Sequence, residues 1–128
     1  MKSIEVAAAI IIQNKSIFAT ERGYGDFKGY WEFPGGKIEE GETPQEALVR
    51  EMMEELNVRI KVQELVEIVN YDYPDFHLTM HCFLCKIISG DMILKEHTSA
   101  RWLTKDHINE VDWLPADKDL IEKLKSRL

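Results

Sequence analysis

The 128-residue sequence has few basic side chains, only two cysteines and four prolines, and no long apolar run. Its 16 lysines and arginines stand against 23 aspartates and glutamates, a formal charge of −7. That balance argues against stable nucleic-acid binding, because affinity for a phosphate backbone comes from Lys and Arg releasing counterions. A phosphorylated small molecule can still bind such a surface when a divalent cation stands between the two negative partners. The longest apolar run, VAAAIII from Val6 to Ile12, is far shorter than the roughly 20 residues that cross a bilayer. At the start, MKSIEV, Glu5 interrupts any apolar leader segment. The expectation is a cytoplasmic protein without a membrane partner, acting as a monomer or homodimer.

The scarce cysteines exclude more. Cys82 and Cys85 form a lone CxxC inside the apolar run MHCFLC, whereas a zinc site needs a second ligand pair. On a strand, residues three apart point to opposite faces, so core packing is expected of both thiols. His77 and His81 share a strand face but stand about 13 Å apart at ~3.3 Å per residue, too far to meet on one metal.

What is present is a chain with 45% hydrophobic residues, enough for one globular domain over residues 1–128 without linker or repeat. Residues 3–12 read as a buried strand, 13–15 as a turn, and 16–21 as a second strand by alternation. RGYGDFKGY reads as a loop, and WEF as a short strand stopped by Pro34-Gly35-Gly36. Longer strands are expected over 58–70 and 77–88, joined by a turn at Tyr73-Pro74-Asp75, with a short strand over 100–103. Residues 116–128 carry Leu120, Ile121, Leu124 and Leu128 on one helical face. Strands mixed with two separate helices, without βαβ alternation, predict an α/β protein with a mixed sheet and helices on its faces.

The helix that starts after Thr43 has the clearest local signature. Thr43 can cap it, Pro44 suits its first position, Glu46 completes a capping box, and Asn57 can end it. Leu48, Val49, Met52, Met53 and Leu56 are expected to cover its buried side. Glu51, Glu54 and Glu55 then stand at i, i+3 and i+4 on the other side. Like charges at this spacing cost only a few tenths of a kcal/mol per pair, so a solvated acidic face is one explanation. A metal site is the other. Arg50 beside the cluster can orient a carboxylate by bidentate pairing, Gly35-Gly36 permits close backbone approach, and Glu42 precedes the cap. A hard cation such as Mg²⁺ suits such donors.

Gly36, five residues, Glu42, seven residues, Arg50-Glu51-Met52, one residue, Glu54-Glu55, one residue, Asn57 and Val58 resemble the Nudix box. The one departure is Asn57, where the family usually has glycine; Asn tolerates left-handed backbone angles, so the helix exit can be kept. WEFPGGKIEEGETP, YPDFH at 73–77 and LPAD at 114–117 extend the likeness to MutT-type nucleotide pyrophosphohydrolases over essentially the whole chain. The resemblance implies an α/β/α sandwich around a mixed sheet, and hydrolysis of a nucleoside triphosphate to the monophosphate and pyrophosphate with Mg²⁺ or Mn²⁺.

Carried over by residue, the Gly36 carbonyl, Glu51, Glu54 and Glu55 look like metal ligands, and Glu51 like the base acting on water. Arg50 and Glu42 look like orienting residues, and Lys37 like a cation on the phosphate side. Glu96 matches a carboxylate that assists metal or water in relatives, or is simply a loop glutamate. Asp117 falls where MutT-type enzymes read the base edge. An ionised carboxylate there would suit the N1–H and amine of guanine or the amine of cytosine; the same residue could cap the last helix. Phe33 and Phe76 are stacking candidates or core residues, and Arg22 a contact to base or sugar. The first substrate expectation is an oxidised guanine nucleotide such as 8-oxo-dGTP; the alternative is CTP, dCTP or 5-methyl-dCTP. A catalytically silent nucleotide sensor is a different class, disfavoured because such members tend to lose box glutamates, all of which are present here.

Overall fold

The computed structural model describes residues 2–95 and 97–128. Seven strands form one mixed sheet: β1 (Lys2–Gln13), β2 (Ser16–Arg22), β3 (Trp31–Glu32), β4 (Gly35–Lys37), β5 (Arg59–Asp72), β6 (Phe76–Ser89) and β7 (His97–Thr104). The main path runs β3-β2-β1-β6-β5, with β4 beside β1 and β7 beside β2. β1 and β6 are parallel, and the other pairings are antiparallel. Helices α1 (Pro44–Leu56) and α2 (Pro115–Leu124) complete the fold.

The apolar run in β1 is continuous because both faces of the strand are covered. Ala7, Ala9 and Ile11 pack with Leu48, Met52 and Leu56 of α1. Ala8 and Ile10 face the other way, toward Leu120, Ile121 and Leu124 of α2. The result is the expected α/β/α sandwich. Cys82 lies in the α2-side core and Cys85 in the α1-side core, both buried, so the thiols point apart as the strand period requires.

Local chemistry sets the turns. Asn14 and Lys15 both adopt left-handed angles (φ 50° and 61°), which suits the tight β1–β2 hairpin. Thr43 accepts from the Glu46 N–H while the Glu46 carboxylate accepts from the Thr43 N–H, and α1 ends at Asn57 with φ 57° and ψ 35°. The departure from glycine at this position is therefore tolerated as expected.

Four sequence expectations change. Gly35-Gly36 does not end the strand region but forms β4, paired with Ala7 and Ala8 of β1. Val49 and Met53 are exposed, and Ala47 takes the buried place beside Leu48, Met52 and Leu56. β7 is longer than residues 100–103 because it pairs with β2 along nearly its whole length. The last helix ends at Leu124 and continues as a 3-10 turn, Lys125–Arg127.

Candidate active site

One cleft of about 620 Å³ runs from the carboxylate side of α1 to the start of α2. Gly36, Lys37, Glu51 and Glu55 line one end, and Arg22, Glu32, Phe33, Phe76 and Asp117 the other. Most of the sequence candidates therefore share one space. Glu96 lies outside the described residues.

At the α1 end, Arg50 organises the carboxylates. Its Nε and Nη2 donate to the two oxygens of Glu42 at 2.7 and 2.9 Å. Nη1 donates to Glu51 at 2.8 Å and Glu54 at 3.1 Å, and Nη2 also reaches the Lys37 carbonyl at 3.0 Å. The bidentate pairing expected of Arg50 thus falls on Glu42. The loop 39–42 closes on itself, because Glu42 also accepts the Glu39 N–H. Arg50 and that N–H hold the Glu42 carboxyl down at about 2. Glu51 shifts upward instead: burial penalises its charge, and the pairing with Arg50 only partly offsets this.

Gly36 leaves room for Glu51. A β-carbon on Gly36 would lie 2.5 and 2.7 Å from the Glu51 carboxylate oxygens. The last turn of α1 holds Glu54 and Glu55 and no basic residue, an unfavourable arrangement at the negative end of a helix dipole. Among the described residues, no three Asp, Glu, His or Cys side chains stand together closely enough to hold a metal ion; Arg50 instead bridges Glu51 and Glu54. The donor chemistry nevertheless fits a hard divalent cation: carboxylate and carbonyl oxygens beside a backbone cradle left open by glycine.

At the other end, Trp31 ties the segment before α2 into the sheet. Its N–H donates to the Asp112 carbonyl at 2.7 Å, and its carbonyl accepts the Leu114 N–H at 2.8 Å. Asp117 is thereby carried into the cleft, where Oδ1 accepts the Phe33 N–H at 3.0 Å. The helix-cap reading of Asp117 fails: Leu114 holds the cap position, and Asp117 lies inside the first turn. Burial, reinforced by the charge of Glu32, pushes its carboxyl up to about 8. The shift favours the protonated acid, which carries a hydroxyl donor, over the ionised acceptor-only form considered from the sequence.

Phe33 is buried against Trp113, ring centres 4.8 Å apart, so its side chain is core while its backbone faces Asp117. Phe76 is half-buried and stacked on Tyr73 at 5.0 Å. Arg22 grips Glu32 with two bonds, Nη2 to Oε1 at 2.7 Å and Nε to Oε2 at 3.1 Å. Sequence reasoning missed Glu32, reading WEF only as strand. The one available signal was a carboxylate between two core aromatics, which needs a partner when buried.

Residues 3–124 match the family model for the NUDIX domain. The chain is 38% identical to an 8-oxo-dGTP diphosphatase of Escherichia coli (strain K12) over 127 residues, covering 98% of each. It is 34% identical to a CTP pyrophosphohydrolase of the same organism, covering 95% of this chain and 91% of the relative. The solution structure of the E. coli ORF135 protein superposes with a TM-score of 0.83 at 32% identity, covering 99% of this chain and 94% of that one. The chain belongs to the NUDIX family. The fold and enzyme class implied by the box, a Nudix pyrophosphohydrolase, stand with it, and Nudix hydrolases generally use divalent metal ions. Among the described residues no helix is long and apolar enough to cross a membrane.

Proposed function

We propose that this protein, as a single cytoplasmic domain, hydrolyses a nucleoside triphosphate with water to a nucleoside monophosphate and pyrophosphate, using Mg²⁺. The first substrate is an oxidised guanine nucleotide such as 8-oxo-dGTP. The observation that carries the reading is one continuous cleft, with Gly36, Glu51 and Glu55 at one end and a buried, backbone-anchored Asp117 at the other. Those ends are suited to a polyphosphate and a base respectively.

Gly36 O, Glu51, Glu54, Glu55 and Glu96 would hold the ion. Bound there, Mg²⁺ supplies neutralisation of the polyphosphate charge and a lowered water pKa. Glu51 takes the proton from the attacking water, its carboxylate lining the cleft beside Gly36 and held by Arg50. Arg50 fixes Glu51 and Glu54 in place, Glu42 fixes Arg50, and Lys37 faces the phosphates. At the base end Asp117 pairs with the base edge, Phe76 offers a ring face, and Arg22 contacts base or sugar.

A second reading keeps the chemistry and changes the base. The amine of a cytosine also suits Asp117, and a relative named for CTP hydrolysis lies at nearly the same identity as one named for 8-oxo-dGTP. Pyrophosphate release with Mg²⁺ across the common NTPs and dNTPs, 8-oxo-dGTP and 5-methyl-dCTP separates the two. A preference for the oxidised guanine supports the first reading, and a preference for cytidine nucleotides the second. Tight nucleotide binding without turnover would point instead to a sensor.

A further inference from the structure

A second crevice lies at the opposite end of β1 from the active-site cleft. β1 and β6 run parallel and in register as far as Ile11 and Cys85. There they part: Ile12 and Gln13 turn to pair with β2, while β6 continues along β5. Open α/β sheets take ligands in crevices of this kind, beyond the carboxyl ends of diverging parallel strands. β5 contributes a bulge, since Gln63 and Glu64 together stand opposite Leu84, between the pairs Val62–Cys85 and Leu65–Phe83. The resulting cavity is about 620 Å³ and shares none of the described residues that line the active-site cleft.

Its lining is cationic in a chain of net charge −7. Lys86 and Arg127 line it with the carboxamides of Gln13, Asn14 and Gln63, and no aspartate or glutamate joins them among the described residues. Ile12 and Leu84, packed on the α2-side core, give it an apolar floor. Lys61 stands directly opposite Lys86 in the β5–β6 ladder, and like charges placed so repel one another. Lys123 and Lys125 pair with Glu67 and Glu122, but Lys61 and Lys86 have no such partner among the described residues. Arg127 is held at the rim by Glu64, the residue that the bulge turns out, through one bond from Nη1 at 3.1 Å. A single bond leaves other guanidinium N–H groups for a second acceptor.

We propose that this crevice is an anion site that takes a phosphate group, free or carried on a small organic molecule, on Lys86, Arg127 and the facing Lys61. A bound anion would relieve the opposition of the two lysines. Three cations and three carboxamide donors suit a multivalent oxyanion with several acceptor oxygens better than a single carboxylate. The volume falls in the range of small-molecule sites, and the Ile12–Leu84 floor can carry an organic portion.

The test is binding of inorganic phosphate and of ribose 5-phosphate, with chloride at matched ionic strength as the control. EDTA is present throughout, so that no divalent ion carries either compound into the active-site cleft. Tm is followed in the wild type, Lys86→Gln and Arg127→Gln, and the side-chain amide signals of Gln13, Asn14 and Gln63 are followed by NMR. Phosphate is expected to raise Tm saturably and to shift those amides with the same midpoint. Each substitution should weaken that midpoint about tenfold, the usual worth of a charged hydrogen bond. Unliganded Lys86→Gln should be no less stable than the wild type, because the opposed lysines are gone. A tighter midpoint for ribose 5-phosphate assigns the site to an organic phosphate; an equal or weaker one assigns it to the free anion. Chloride reproducing the effect, NMR shifts confined to cleft residues such as Lys37, or a phosphate response unchanged in both variants would each overturn the site.

Discussion

The Glu51 carboxylate packs over Gly36 so closely that a single added methyl group on the backbone there would meet both of its oxygens. The obstructed atoms are the far end of a side chain, which can swing away. Gly36→Ala is therefore expected to leave the fold intact, with Tm within a few degrees, while displacing Glu51. Turnover should fall by about 10²-fold or more, the scale of a general-base contribution. Activity and thermal denaturation on one preparation check this.

The neighbouring glycine behaves differently. A β-carbon on Gly35 would overlap the Ala7 carbonyl oxygen and lie 2.9 Å from Ala8 Cα, both backbone atoms of the central strand. Relief requires β4 to part from β1. Gly35→Ala should lower the unfolding free energy, read from the shift in denaturant midpoint, by an amount typical of disruptive substitutions, about 2 kcal/mol or more. A variant with unchanged stability would show that β4 can shift without cost.

Replacing either carboxylate bridged by Arg50, as Glu51→Gln or Glu54→Gln, should reduce kcat by orders of magnitude with the circular dichroism spectrum unchanged. A loss of less than about tenfold removes that residue from its assigned role, given usual contributions of 10²–10⁴.

Arg50→Lys tests the organiser. Lysine cannot supply the forked pair to Glu42 or reach Glu51, Glu54 and the Lys37 carbonyl together. Turnover should fall about tenfold or more, and the Glu42 carboxyl, now near 2, should titrate closer to the usual carboxylate range by NMR. An unmoved Glu42 would mean that the Glu39 N–H alone holds it down.

Asp117 carries a pH signature. Its folded value of about 8 lies above the ordinary 3.8, so the folded state binds this proton more tightly than the unfolded state. The associated stability is fully present below about 4 and is lost as pH rises through about 8. In Asp117→Asn this component of the slope should disappear, and discrimination between bases should change while the Mg²⁺ requirement stays. Parallel stability–pH curves for the two proteins would contradict the buried, protonated carboxyl.

The sequence made α1 legible because its signals are local: Thr43, Pro44, Glu46 and Asn57 each act within a turn of their own position. The box glutamates were legible for the same reason, since helical spacing sets their common side. What was hidden depends on contacts distant in the chain. Asp117 meets Phe33 across 84 positions, and no local rule separates that bond from a helix cap. Glu32 acquires meaning only once β2 pairs with β3 and delivers Arg22. Glycine is a poor strand former, so β4 looked like a break; it is a strand because β1 needs close approach there.

The two cysteines, opposed across one sheet, amount to a pair of native probes with separate addresses. Both thiols are buried, and burial raises both, Cys85 to about 12. Neither should react with a thiol reagent until its own side of the sandwich opens. Cys82 would report the release of α2, and with it the base end of the cleft; Cys85 would report the release of α1, which bears the carboxylates. Equal labelling rates would mean that the two layers part in a single event. Unequal rates would rank which half of the site comes undone first, without any label being introduced.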